Sequence, residues 1–366
     1  MDRVFNFASG PAMLPLDVLE KAKYELLNYN NTGMSIMEMP YNSKEFKEIM
    51  ESLEETVREL LEIPNNYKLL FLRGGAVEQY AAIPLNMFSE RKCADYIVTG
   101  EQSRAAYLEA KKYGDAVIAA SSGGSTPVYN SIPETSRATF RPDVDYVYMR
   151  YANTAMGTKF NYVPDTGNIP LVADLSSCFL SEPLQVSAFG LVYADMRRCL
   201  LPAGMTVVLV RADLIGNARP QTPTTLDYRR LLEEGCTYHA PSPVCLFAAN
   251  RLFHRMLSAG GLEEMKRRGE RKASLLYDYL DGQAYYTAPA DKAFRSMTSV
   301  VFTTGNSAMD ERFAEAAEAE GLLRLRLKNA AHGLCASLHF AIPYEGVECL
   351  VSFMKKFALE NPKLSI

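Results

Sequence analysis

Lys68-Leu69-Leu70-Phe71-Leu72-Arg73-Gly74-Gly75-Ala76 is the stretch on which the fold turns. Residues 68–72 form a short, nearly continuous apolar run, the pattern of a strand buried on both faces. Gly74-Gly75 then turns the chain, and a helix is predicted from Ala76. The texture repeats downstream. A strand over 95–99 precedes a helix over about 103–113, and 116–119, 145–149, 170–173, 190–194 and 206–210 read as further buried strands. Strands alternating with helices imply an α/β fold, a mostly parallel sheet covered on both faces. Ligands of such sheets gather at the carboxyl ends of the strands.

Working outward, Asn42-Ser43-Lys44-Glu45 resembles a capping box, with Asn42 as N-cap and Glu45 at the third helical position. Phe46, Ile49, Met50, Leu53, Val57, Leu60 and Leu61 follow at helical spacing, and Ile63-Pro64-Asn65-Asn66 ends that helix. Beyond about Leu252 the pattern becomes α+β. Helices are expected over 261–280, 309–320 and 345–357, and strands over 299–302 and 336–340. We expect a large domain over 15–255 and a smaller α+β domain over 256–366 that residues 1–14 join.

The chain has 366 residues, 48% hydrophobic and 22% charged, enough for a sizeable core. A net charge of -4 with no basic stripe gives no attraction for nucleic acid or a membrane surface. The 7 cysteines include no C-x-x-C pair, so reduced thiols in a cytoplasmic protein are the simple reading. No secretion signal opens the chain, and no apolar run is long enough to span a membrane. The 4 histidines have no metal-binding spacing, so no metal site is expected.

Three places carry candidate chemistry. The Gly74-Gly75-Ala76 turn opens a helix N-terminus, a ready phosphate or anion site, although the same residues also make a simple tight βα turn. Asp174 ends a strand, where a carboxylate can pair with a protonated ring nitrogen or a cation; it also reads as an N-cap, with Ser176 and Ser177 following. Arg197-Arg198 follows another strand and offers two guanidiniums to an anion, or is solvated surface.

At this point the chain resembles a known family. Asn6-Phe7-Ala8-Ser9-Gly10-Pro11, Gly33-Met34-Ser35-Ile36-Met37-Glu38, Leu70-Phe71-Leu72-Arg73-Gly74-Gly75-Ala76, Val172-Ala173-Asp174-Leu175-Ser176-Ser177, Pro202-Ala203-Gly204 and Pro343-Tyr344-Glu345-Gly346-Val347 look like phosphoserine aminotransferases. The likeness spans essentially the whole chain. It implies a fold-type-I aminotransferase, with a seven-stranded sheet in the large domain, a small second domain, and a homodimer whose active sites lie between subunits. The family exchanges an amino group between phosphoserine and 2-oxoglutarate through pyridoxal phosphate (PLP), using a lysine that forms an imine with the cofactor and then shuttles a proton.

The resemblance implies that Ser9 stands near the substrate, that Gly75 and Ala76 cradle the cofactor phosphate, that Thr154 contacts the cofactor and that Asp174 holds the ring nitrogen protonated. Elsewhere the chain departs from the family. The lysine is Arg198, and the phosphate-binding glutamine before it is Arg197. The stacking tryptophan is Gln102, and the hydroxyl residue after Ala76 is Val77. An Asn-Thr pair given by the partner subunit is His239-Ala240. The substrate-binding residues are Tyr41-Asn42, Lys328-Asn329 and Cys335, each where the family has His-Arg or arginine. A guanidinium stays protonated and is a poor nucleophile, so it does not replace the lysine.

Three readings follow. The chain is a degenerate family member without transamination, keeping a cleft for a small phosphate-bearing or other anionic ligand or acting beside an active paralogue. It is a different enzyme that uses the cleft with PLP held non-covalently or with no cofactor. Or it is a working phosphoserine:2-oxoglutarate aminotransferase. For the first we expect Arg197, Arg198, His239 and the glycine turn to form an anion site, against the alternative that Arg198 pairs with Asp174 or Asp195.

Overall fold

The computed structural model describes residues 3–124, 128–198, 203–235, 237–327 and 333–362. Its centre is a 7-stranded sheet. From one edge to the other the strands are Tyr67–Arg73, Met205–Arg211, Leu191–Asp195, Leu171–Asp174, Tyr146–Arg150, Cys93–Val98 and Asp115–Ser121. Met205–Arg211 runs antiparallel to both neighbours. The pairs from Leu191–Asp195 outward are parallel.

Alternation sorts the sheet's side chains into two cores. Val147, Met149, Ala173, Val192, Ala194, Val207 and Leu209 belong to one face, which packs on the helices Lys44–Leu60 and Pro243–Ser258. Tyr146, Tyr148, Val172, Leu191, Tyr193 and Val208 belong to the other, under the helices Ala76–Met87 and Glu101–Ala110. The second face is phenolic. Tyr96 and Tyr146 hydroxyls bond at 2.8 Å, and so do those of Tyr148 and Tyr193, which satisfies groups that burial would otherwise leave orphaned.

A third core gathers Phe7, Leu276, Phe302, Phe313, Leu350 and Phe357. It surrounds an antiparallel pair, Ser299–Phe302 with Leu334–Ser337, beside the helices Gly261–Asp281, Ser307–Ala319 and Tyr344–Glu360. Phe5–Asn6 pairs in parallel with Leu322–Leu323, so the start of the chain is tied to this core.

Some details differ from the sequence reading. The N-cap of Lys44–Leu60 is Ser43, not Asn42: its hydroxyl accepts from Phe46 N at 3.1 Å, which moves the helix start one residue on. The late strand lies at Leu334–Ser337 rather than 336–340, because pairing with Ser299 ends at Ser337. The helices Leu16–Glu25 and Pro243–Ser258 were not predicted. The second has a legible start, Ser242 as N-cap with Pro243 in the first turn. Among the described residues, no helix is long and apolar enough to cross a membrane.

Candidate functional site

Three strands end side by side in Arg150, Asp174 and Asp195. Arg150 and Asp174 are register partners on adjacent parallel strands. Two-residue alternation from Tyr148 and Val172 puts both on the phenolic face. There they form an ion pair, Arg150 Nη1 donating to Asp174 Oδ2, with side chains 2% and 0% exposed. Arg150 Nη2 also donates to Ser177 Oγ at 2.8 Å and its Nε to the Ala152 carbonyl at 3.1 Å. The other carboxylate oxygen of Asp174 accepts the Ser176 N–H at 2.8 Å. Burial opposes the charge on Arg150, but Asp174 and the surrounding phenols outweigh it, and the guanidinium is held above its ordinary range. Burial also raises the phenols of Tyr148 and Tyr193 well above theirs, so they stay neutral.

The network extends to two predicted site residues. Thr154 Oγ1 donates to Ser177 Oγ at 2.7 Å, and Cys335 Sγ lies 3.8 Å from the Thr154 carbonyl oxygen. Burial pushes the Cys335 thiol up to about 12. Asp174, Thr154 and Cys335 are therefore brought together, around an arginine that the sequence reading did not single out.

The glycine turn forms the next group. Gly74 has φ +114, which favours glycine. A Cβ at Gly75 would stand 3.0 Å from Asp195 Oδ2, so that strand end approaches the bare backbone. The Gly75 N–H, expected to be free for an anion, donates to Glu78 Oε2 at 2.9 Å. One donor of the expected anion cradle is therefore occupied, and the carboxylates of Glu78 and Asp195 lie at the turn. Arg197 closes on Asp195 through its N–H at 3.1 Å and Nη2 at 3.2 Å. Arg198 ends the short helical turn Met196–Arg198 that follows the strand. Asp195 N–H donates to Ser176 Oγ at 2.9 Å, which ties this group to the Asp174 network. Ala76 is buried and Val77 is 64% exposed.

Arg73 organises a third group. Its Nη2 donates to Tyr41 Oη at 3.3 Å and its Nε to the Ala240 carbonyl at 3.2 Å, while its N–H donates to the His239 carbonyl at 3.0 Å. Burial and the Arg73 charge lower the affinity of His239 for a proton. Within one chain, then, His239 docks by its backbone on the same chain's strand end. Asn42 is exposed beside Tyr41. Gln102 Oε1 accepts the Tyr80 hydroxyl at 3.0 Å, in the place where the resemblance has a stacking ring. Ser9 lies just beyond Phe7, whose carbonyl accepts Ser337 N–H at 3.1 Å. Lys328 and Asn329 lie outside the described residues.

Two other lysines are firmly engaged. Lys159 pairs with Glu182. Lys272 is buried and donates to the carbonyls of His339 and Ile342 at 2.8 and 3.0 Å; burial lowers it to about 7. Arg150 and Glu78 are what sequence reasoning missed. The signal for Arg150 was a charged residue closing an apolar strand next to the strand that Asp174 closes. For Glu78 it was a carboxylate three places beyond a glycine at a helix start.

The profile of the aminotransferase class-V family matches residues 4–320. A phosphoserine aminotransferase of Bacillus cereus (strain ATCC 14579) is 40% identical over 361 residues, covering 99% of this chain and 100% of its own. Among solved structures, phosphoserine aminotransferase from Bacillus circulans subsp. alkalophilus superposes with a TM-score of 0.94 at 36% identity, over 98% of this chain and 99% of that one. A PLP-bound phosphoserine aminotransferase from Trichomonas vaginalis does so with a TM-score of 0.90 at 32% identity, over 96% and 100%. Sequence and fold thus agree with these proteins over nearly the full length, and the chain belongs to the aminotransferase class-V family, with the fold-type-I architecture and strong homology to phosphoserine aminotransferases.

Proposed function

We propose that this chain keeps the scaffold of a phosphoserine aminotransferase without its imine chemistry. One observation carries the reading: Arg198 stands where the resemblance places the imine-forming lysine, and a guanidinium neither forms that imine nor shuttles the proton. The surrounding geometry supports it. The carboxylate matched to the ring nitrogen's partner is paired inside the protein with Arg150, and the matched phosphate turn holds Glu78 and Asp195. These residues do not fit pyridoxal phosphate bound as the family binds it. The Gly75 N–H of the turn is taken by Glu78, so a phosphate seated on that donor would have to displace the carboxylate. A homodimer, or a pairing with an active paralogue, in the cytoplasm is part of this proposal, as are the domains 15–255 and 256–366 with 1–14.

The competing reading is a working phosphoserine:2-oxoglutarate aminotransferase. Identity of 40% across 99% of the chain to a protein of that name favours it. The test is to incubate the purified chain with pyridoxal phosphate, record the visible spectrum, reduce with borohydride and weigh the intact protein, with phosphoserine turnover assayed in parallel. We expect no imine band, no reduced cofactor adduct at an active-site residue and no turnover above the protein-free control. Turnover would establish the competing reading.

A further inference from the structure

Resting on that reading, we infer that Arg150 is the cleft's resident counter-cation, a specificity-determining residue that fills the planar-cation position against Asp174 and so excludes cationic ring ligands from it. Asp174 is a carboxylate with no exposed side-chain surface, and such a group persists only with a positive partner or a full set of donors. Arg150 supplies the charge from the neighbouring strand, in register, so compensation is covalently tethered and does not depend on a ligand.

The surroundings of the guanidinium are those of a built receptor. One edge meets Asp174 Oδ2, Nη2 meets Ser177 Oγ at 2.8 Å, and Nε meets the Ala152 carbonyl at 3.1 Å. Thr154 closes the far side of Ser177 at 2.7 Å. Carboxylate, hydroxyl and carbonyl are all disposed to accept, as a planar donor cation requires. Truncating Arg150 while leaving Asp174 should therefore leave a vacancy shaped for a small planar cation.

The experiment is chemical rescue of the full chain, read by thermal melting. Arg150→Ala should melt about 5 °C below wild type, as expected for one unpaired buried charge in a protein of this size. Methylguanidinium at low millimolar concentration should recover most of that loss, whereas urea at the same concentration, planar but neutral, should not. Wild type and the double variant Arg150→Ala/Asp174→Asn should not respond to methylguanidinium. An unchanged melting point in Arg150→Ala overturns the inference, and so does a methylguanidinium response equal to that of wild type. If Arg150→Ala gives no folded protein, Arg150→Met/Asp174→Asn decides: removing both charges should restore a folded chain, and failure to do so overturns the inference. An imine band in wild type would instead sink the reading under Proposed function and leave the rescue result standing, so the two failures are distinguishable.

Discussion

Replacing Lys272 with methionine should remove a rise in stability that wild type shows between pH 7 and pH 9. The Lys272 ammonium is buried in the helix Gly261–Asp281 and donates to the carbonyls of His339 and Ile342. Burial, with a smaller contribution from the Arg268 charge, lowers it from 10.5 to about 7. The folded chain therefore releases this proton near neutrality, while the unfolded chain holds it to about 10.5. Between those values the unfolded state binds more protons, so raising the pH favours folding, by up to about 1.4 kcal/mol per pH unit. Integrated from pH 7 to pH 9, the gain is about 2 kcal/mol, and from pH 6 to pH 7 only a few tenths. Lys272→Met keeps most of the apolar stem and cannot titrate. It also leaves two carbonyls without their donor, at about 1–3 kcal/mol each, against the relief of no longer burying an ammonium. Its absolute stability near pH 7 is thus a balance, but its pH slope is not. Urea denaturation of both proteins at pH 6, 7, 8 and 9 gives the difference directly, and shared titrations cancel in it. Wild-type and variant curves that run parallel from pH 7 to pH 9 would refute the assignment of Lys272 as a group neutral in the folded chain under mildly alkaline conditions.

Other outcomes follow from the site. Arg198→Lys alone should leave phosphoserine turnover at or near background, since Asp174 remains paired with Arg150 and Gln102 remains in place of a stacking ring; a steady-state assay of that variant checks it. Gly75→Ala should destabilise by about 1–3 kcal/mol in urea melts, because the new methyl would meet Asp195 Oδ2 at 3.0 Å. Glu78→Ala removes the carboxylate from the Gly75 N–H, at about 1 kcal/mol, and should make the melting temperature more sensitive to phosphate than that of wild type. Under native conditions a thiol reagent should label exposed Cys349 ahead of Cys178 and Cys335, whose burial pushes both thiols up to about 12; peptide mapping of a time course reads the order.

How much of this the sequence carried depended on whether the deciding contacts were local. The apolar runs at 68–72, 145–149 and 206–210 lie within the observed strands apart from an end residue, because a strand buried on both faces needs apolar side chains at consecutive positions. Asp174 and Arg197-Arg198 were correctly placed at strand ends, since polarity following an apolar run is itself a boundary signal. What each carboxylate would pair with was not legible. An arginine such as Arg150, closing a strand, reads as solvated surface until the strand order sets it beside Asp174, and strand order is not written in periodicity. The expected closing of a strand-end carboxylate by an arginine is seen as Arg150 with Asp174 and Arg197 with Asp195, while the side chain of Arg198 lies outside what the structure describes. The Glu78 contact is local and follows the capping pattern of a carboxylate at the third helical position, but a glycine pair at a helix start is equally the pattern of an anion site.

Among the described residues, Met205–Arg211 is the one reversed strand of the central sheet, and it meets Leu191–Asp195 directly, with Thr206 opposite Asp195 and Val210 opposite Leu191. The turn Met196–Arg198, which carries Arg197 and Arg198, therefore leaves directly from a strand held by this backbone ladder. The ladder is made by main-chain groups and is indifferent to which side chains the turn displays. A substitution at Arg197 would fall outside that ladder, whereas one at Tyr193 or Val208 would strike the core. Architecture and the chemistry displayed by a strand-end turn are thus set on separate terms.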